Sequence, residues 1–175
     1  MYFNSFPDII YDPNRNGDYQ ICKNLLRRVA VREKVRTNTL LYDTYDVREG
    51  ESPESLSDRL YGSPDYHWVV LMINDITDRY HGWPMSTPQF LQMIDEKYTN
   101  VDEVHHYEIT QESGSTKVKI DIGTDNTDYP SATPITNYEY ELERQNQLSR
   151  IRLLDPAYLE KFVTEFESLM KESIL

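Results

Sequence analysis

Apolar positions along this chain follow two rhythms, one of three to four residues and one of two. Ile21, Leu25, Val29 and Leu26 recur at the longer spacing and predict an amphipathic helix over residues 19–30. Leu40–Val47 alternates loosely and is rich in Tyr, Leu and Thr, which predicts a strand. Leu56 and Leu60 face inward from a helix over 53–61, and Trp68-Val-Val-Leu-Met-Ile73 is apolar nearly all round, so a helix over 64–73 is expected to be buried on several sides. Phe90, Leu91, Ile94 and Tyr98 make one stripe of a helix over 87–98. Residues 104–109 and 116–122 alternate around Glu112-Ser-Gly-Ser, a hairpin signal, and residues 123–134 form a polar, turn-rich loop. Tyr138–Leu148 reads as a helix, although Tyr138, Tyr140 and Leu142 also suit a strand. Arg150-Ile-Arg-Leu-Leu154 is a short strand, and a last helix over 156–173 buries Tyr158 or Leu159, Phe162, Phe166, Leu169 and Met170.

Helix starts are marked by chemistry. Ser52–Pro53, Ser63–Pro64, Thr87–Pro88 and Asp155–Pro156 each set a side-chain acceptor before a proline, which has no N–H to leave unsatisfied in the first turn. Gly62 stands where a left-handed residue is expected to end the helix over 53–61. Residues 1–18 carry Pro7, Pro13, Gly17 and clustered Asn and Asp, and are expected to be extended and ordered mainly by contacts with something else.

The stretch from Tyr45 to Asn74 therefore reads as a strand, a turn at Gly50 and two short helices separated at Gly62–Ser63. That layout resembles a LysM-type module, a small βααβ unit best known for holding glycan chains. The closing strand expected of such a unit does not follow Asn74, whereas Arg150–Leu154 suits the part. The expected fold class is α+β: a LysM-like βααβ module split by a long α/β-hairpin insertion, with an N-terminal extended arm and helix and a C-terminal helix. The parts would be 1–39 (arm and helix), 40–74 with 149–155 (module), 75–148 (insertion) and 156–175 (C-terminal helix).

Charge narrows the partners. With 18 basic and 30 acidic residues among 175, the net charge of −12 repels nucleic acid and anionic membranes. The charge is uneven: Lys23, Arg27, Arg28, Arg32, Lys34 and Arg36 lie within 14 positions that hold one acid, Glu33, while residues 98–145 hold ten acids and three bases. This is either a solvated face followed by acidic loops, or a basic arm that docks on an acidic surface, copies of the chain's own acidic insert included. Cys22 is alone and makes no internal disulfide, which fits synthesis in a reducing cytoplasm. No apolar run reaches a membrane span, and Met1–Pro7 has neither the basic start nor the apolar core of a signal peptide, which speaks against a secreted wall binder.

No catalytic constellation emerges, and no enzyme or cofactor is expected. His67, His81, His105 and His106 form no metal-ligand pattern, and neighbours on a strand, such as His105 and His106, are expected on opposite faces. Asp121, Asp125, Asn126 and Asp128 lack the oxygen spacing and closing glutamate of a calcium loop. Aromatic content carries more information: 14 Tyr, 2 Trp and 5 Phe supply apolar bodies with polar tips, suited to contacts assembled from soluble parts. Trp68 reads as core, Trp83 as either core anchor or partner contact, and Tyr2, Phe3 and Phe6 as intermolecular anchors. The candidate partner-facing residues are Tyr2, Phe3, Phe6, Arg27, Arg28, Arg32, Tyr66, His67, Tyr80 and Trp83.

Over residues 40–173 the run YGSPDYHWVVLMINDITDRYHGWPMSTPQFLQMIDEKY, continued by LERQNQLSRIRLLDPAYLEKFVTEFESLM, resembles the small LysM-like baseplate wedge subunit of contractile-tailed, T-even-type bacteriophages. The specific part is the YG-P core ending in Asn74-Asp75, followed by the Tyr80, Gly82 and Trp83 step. The resemblance implies a structural virion protein, made in the host cytoplasm. It would join neighbouring wedges and help close a sixfold ring around a central hub, with other wedge proteins as partners. The N-terminal 35 residues match only in general character and the region 100–135 departs in length and sequence, so contacts there do not carry over. A glycan-binding module of a wall-targeting complex is the alternative that the LysM layout alone leaves open.

Overall fold

The computed structural model describes residues 2–27, 29–31, 39–111, 114 and 118–172. The fold is mixed α+β, with six α-helices and three small sheets among the described residues. It divides into two compact units. The first takes Met1–Val47, Glu51–Gly82 and Ile151–Leu175; the second takes Arg48–Gly50 and Trp83–Arg150.

In the first unit a 3-10 turn over Tyr2–Ser5 leads into an antiparallel ribbon of β1 (Asp8–Tyr11) and β2 (Gln20–Lys23). The helix expected over 19–30 is not there. Ile21 and Leu25 are spaced for a helix, but residues 20–23 satisfy their backbone against 8–11, and Ile21, Leu25 and Leu26 are exposed. β3 (Tyr42–Asp46) is followed by α1 (Pro53–Tyr61) and, after a 3-10 turn over Pro64–Tyr66, by α2 (His67–Ile73). α3 (Arg79–Gly82) is a single turn. Gly82 approaches Ile76 closely: a Cβ there would lie 2.9 Å from Ile76 Cγ2, so a larger residue would force that side chain to shift.

The capping reading holds locally. Ser52 Oγ accepts the Ser55 N–H at 3.2 Å, Ser63 Oγ accepts the Asp65 N–H at 3.2 Å, and Gly62 takes φ +73° at the end of α1. Tyr45 ties β3 to α1: its hydroxyl donates to Glu51 Oε2 at 2.9 Å and accepts from the Arg59 guanidinium at 2.6 Å.

The strand that β3 pairs with comes from far along the chain, β7 (Arg150–Leu154). A side chain holds it from α2. Asn74 Nδ2 donates to the Val70 and Arg152 carbonyls and Oδ1 accepts the Arg152 N–H, all at 2.8 Å. Tyr61 adds a bond from its hydroxyl to the Leu154 carbonyl at 3.0 Å, and burial, partly opposed by that bond, pushes its phenol pKa well up. Beneath these strands α2 buries Trp68, Val69 and Ile73 with Leu154, Phe166 and Met170, the last two from the C-terminal helix Leu159–Glu172.

The second unit holds α4 (Thr87–Lys97), α5 (Asn137–Ser149) and a three-stranded antiparallel sheet. β4 (Val104–Thr110) lies between β5 (Lys119–Asp121) and β6 (Thr133–Thr136). Thus the expected hairpin forms, and part of the expected loop is a strand. The α4 cap sits one residue earlier than expected. Ser86 is the N-cap, its N–H bonded to Gln89 Oε1 at 3.1 Å, and Thr87 is clamped by the Glu49 carboxylate at 2.6 Å from its N–H and 3.0 Å from its hydroxyl. Thr136 and Glu139 close a capping box at the start of α5. Phe90 and Ile94 are buried, whereas Leu91 leaves the predicted stripe and is exposed. The remaining helix is α6, the Leu159–Glu172 segment named above, preceded by a 3-10 turn whose N-cap Asp155 accepts the Ala157 N–H at 2.8 Å.

At the centre of this unit Glu141 is 1% exposed and accepts from Lys97 Nζ at 2.5 Å and from the Tyr98 hydroxyl at 2.9 Å. Burial alone would raise its carboxyl pKa; the bonds from Lys97 and Tyr98 outweigh it and hold the carboxyl below its usual value. Glu141 in turn lifts the Lys97 ammonium above its usual value.

Two stability tests follow from these contacts. Asn74→Ala leaves the Arg152 N–H and C=O without their partner and is expected to cost about 2–4 kcal/mol, read as a lower urea midpoint with unchanged slope. Asn74→Asp has no donor for the two carbonyls and should cost at least as much at neutral pH, with part of the loss regained in acid as the carboxyl protonates. An Asn74→Ala chain as stable as the parent would show that the contact holds nothing. For Glu141, a folded pKa below the unfolded one means stabilisation that is complete above the unfolded value of 4.5 and lost as pH falls through the folded value. Lys97, with its pKa raised, contributes fully below 10.5 and loses that contribution as pH rises through its folded value. Glu141→Gln keeps an acceptor for Tyr98 but not the charge, so it should cost about 1–2 kcal/mol at neutral pH. Unfolding midpoints across acid pH should show that cost shrinking as the parent carboxyl protonates.

Candidate functional site

The β1–β2 ribbon is the part of the first unit whose sequence and surroundings conflict. Its register sets Ile10 opposite Ile21 and Ile9 opposite Cys22, and all residues of both strands are exposed. Ile10 and Ile21, on one face, are 73% and 77% exposed, and Tyr11, Tyr19, Leu25 and Leu26 are exposed as well. A two-stranded ribbon with neither face covered is marginal in water, and its outer edges present unpaired backbone groups.

Both ends of the ribbon are nonetheless fixed. At the base Lys23 Nζ bonds Asp8 at 2.8 Å and the Phe6 carbonyl at 3.0 Å, while the Asn24 N–H donates to the Pro7 carbonyl at 2.9 Å. At the tip the Asp12 carboxylate gathers the N–H groups of Gly17 at 2.8 Å, Asn14 at 3.2 Å and Asn16 at 3.3 Å. These bonds, that from Gly17 foremost, hold the Asp12 carboxyl below its usual pKa. Gly17 supplies the φ of +86° that the turn requires.

The sequence-predicted partner residues do not gather into one surface. Phe6 is 5% exposed and belongs to the chain's own core, and Tyr2 stacks on Phe166 with ring centroids 5.6 Å apart and lies 5.2 Å from Trp68. The expectation that Tyr2 and Phe6 are intermolecular anchors is corrected: α6 and Trp68 offer them an apolar bed within the chain. Phe3 stays exposed. Arg27 donates to the Leu169 carbonyl at 3.3 Å, and Arg28 and Arg32 lie outside the described residues. Tyr66 meets Tyr61 edge to face at 6.3 Å, His67 Nδ1 sits 2.9 Å from the Pro64 carbonyl, and both are half-buried. Trp83 is buried, so of its two readings the core anchor describes it. Tyr80 is 85% exposed.

Sequence reasoning missed two features of the second unit. One is an open groove of about 580 Å³ along β4 and β5, floored by the cross-strand pair Ile109 and Ile120 and flanked by Tyr129, Glu108 and Thr133. The other is the histidine pair. A bulge between Val104 and His106 breaks the alternation of β4, and His105 and His106, expected on opposite faces, meet with Nδ1 atoms 2.9 Å apart. His105 stacks on Tyr140 at 3.9 Å, and the buried His106 reaches Glu108 at 3.4 Å. Among the described residues no group of three or more His, Cys, Asp or Glu is placed to hold a metal ion, and no helix is long and apolar enough to cross a membrane.

Comparison with known proteins gives the surfaces a context. A curated relative, "Baseplate wedge protein gp53" of Enterobacteria phage T4, is 28% identical over 145 residues, covering 74% of each chain. The family model described as "Base plate wedge protein 53" matches residues 1–131, which takes in the ribbon, α1 to α4 and the groove strands β4 and β5. The chain therefore belongs to the base plate wedge protein 53 family.

Proposed function

We infer that this chain is a structural component of a phage tail baseplate wedge, carried in the virion, and that it works by being gripped between neighbours. Family membership supports the wedge role. The observation that carries the mode of action is the ribbon. Its residues Ile10 and Ile21 expose apolar surface on a two-stranded element that water alone supports poorly, and neither belongs to the unit's core cluster. Such a surface gains by burial in an assembly. Contacts with other wedge proteins, with the neighbouring wedge and with the central hub are the partners this reading expects. Many modest contacts repeated around a ring reach high avidity without any one of them being tight.

The wedge role is borne by a scaffold that we read as a LysM-like βααβ module made of β3, α1, α2 and β7, with residues 75–148 inserted before its closing strand. The pairing of β3 with β7 and the Asn74 contact to Arg152 support that reading. The module's ligand in this reading is protein, and the chain is not an enzyme.

The test separates folding from assembly. Ile10→Asp with Ile21→Asp alters exposed positions and should leave the unfolding midpoint within about 0.5 kcal/mol of the parent. Phe6→Ala, by contrast, removes core and should cost about 3–5 kcal/mol. Supplied to a phage that lacks this chain, the ribbon variant should give folded protein but few complete hexagonal baseplates by electron microscopy. Normal baseplates from the double variant would show that the ribbon is no assembly contact. Absence of the chain from purified virions would overturn the wedge role itself.

A further inference from the structure

We propose that the turn of the ribbon carries a site of spontaneous covalent modification, Asn16, and that the Asp12 carboxylate restrains the reaction while the turn is intact. Asn16–Gly17 is the one Asn–Gly step in the 175 residues. The chemistry needs only water. The Gly17 amide nitrogen loses its proton and attacks Cγ of Asn16. The new N–C bond closes a five-membered succinimide, and the Cγ–Nδ2 bond breaks, its nitrogen leaving as ammonia with the proton. Water then opens the ring at one of its two carbonyls. The product at position 16 is an aspartate or, with the main chain rerouted through Cγ, an isoaspartate; nothing is oxidised or reduced. The reaction asks nothing of the wedge role and stands if that role falls.

Sequence and exposure favour the reaction. Both residues are exposed, and the space beside Gly17 is open, since a Cβ there would meet nothing within 4 Å. Glycine also sets no side chain in the path of ring closure. Arg15, a non-glycine residue at φ +53°, adds backbone strain that opening of the turn relieves.

Hydrogen bonding opposes it. The Gly17 N–H, whose proton must leave, donates to Asp12 Oδ2 at 2.8 Å, the shortest of the three bonds that this carboxylate gathers. A carboxylate so placed holds the proton where it is and disfavours negative charge on the nitrogen. The electrophile is held as well. Asn16 Oδ1 accepts the Asp18 N–H at 3.0 Å, and the Asn16 N–H bonds Asp12 at 3.3 Å, so the side chain is not free to rotate over the Gly17 nitrogen. The same bonds keep the Asp12 carboxyl below its usual pKa, which makes the restraint an anion throughout the neutral range. Reaction therefore proceeds from the fraction of molecules whose turn has opened. Its product cannot restore the turn: a new carboxylate stands between Asp12 and Asp18, and the isoaspartyl linkage lengthens the main chain where Tyr11 must close on Gln20.

The experiment incubates the full purified chain in warm, near-neutral buffer. Digests are read by mass spectrometry for the mass gain of amide to acid, and by electron-transfer fragmentation for isoaspartate. Product should concentrate at position 16, and form at least about tenfold more slowly in the native chain than in the same chain unfolded in urea. Asp12→Ala, checked as folded by circular dichroism, should bring the native rate to within about threefold of the unfolded one. Lys23→Ala loosens the base of the ribbon and not its turn, and should leave the rate near that of the parent. Asn16→Gln should remove the signal, because its longer side chain closes only a six-membered ring. A parent without detectable product while Asp12→Ala reacts is the restraint at its strongest. Four results would overturn the proposal: a native chain that reacts as fast as the unfolded one, an Asp12→Ala chain no faster than the parent, a Lys23→Ala chain accelerated as much as Asp12→Ala, or product in the unfolded chain mainly at another asparagine.

Discussion

The first unit depends on a single carboxamide standing in for a strand. Arg152 directs its N–H and C=O to the same edge of β7, as any strand residue does, and Asn74 meets both while a further bond ties it to Val70. Alternate residues of a strand present their backbone groups to opposite edges, so β7 has β3 on one side and an amide side chain on the other. Only Asn or Gln combines a donor and an acceptor in the right planar pair. Two things follow. At Arg152 the outer edge of β7, otherwise a template for aberrant pairing, is occupied. And β7 is held to α2 by directional bonds across 78 residues, which fixes how Leu154 enters the core beside Trp68 and Ile73.

What the sequence made legible follows from how local each cause is. Caps at Ser52, Ser63 and Asp155 were readable because donor and acceptor lie within three residues of one another. The box at Thr136 and Glu139 carried the same signature and was overlooked. Trp68 and its apolar neighbours announced a buried helix because no polar face remained to expose. The ribbon was misread for the opposite reason: Ile21 and Leu25 obey helical spacing, and the pairing with Ile9 and Ile10 that overrides it is not visible from residues 19–30 alone. The histidine pair escaped similarly, since the bulge that places His105 beside His106 is set by the register of β4 against β6. Among the site residues, Phe3 and Tyr80 were recognised by type and are exposed, whereas Phe6 and Trp83 were equally aromatic and went inside. Composition says that a side chain wants contact; it does not say with which molecule.

Burial of Phe6 is compatible with the contact role proposed for the arm. A free tail that orders on docking gives up backbone freedom of about 1–2 kcal/mol per residue, and that loss comes directly out of the affinity. Here the losses are met within the chain. Tyr2 and Phe6 fix the residues before β1 in the core, Lys23 and Asn24 bond back to Phe6 and Pro7 at the far end of β2, and Asp12 ties the turn. The isoleucines of the ribbon are therefore presented on a framework ordered before any partner arrives. An exposed apolar surface is a hazard on a flexible segment and an instrument on a braced one, since the bracing limits the geometries in which it can be covered. The core aromatics and the exposed ribbon thus belong to one device: the first holds the second at a defined place, and the partner contact we propose supplies the burial that two strands alone cannot achieve.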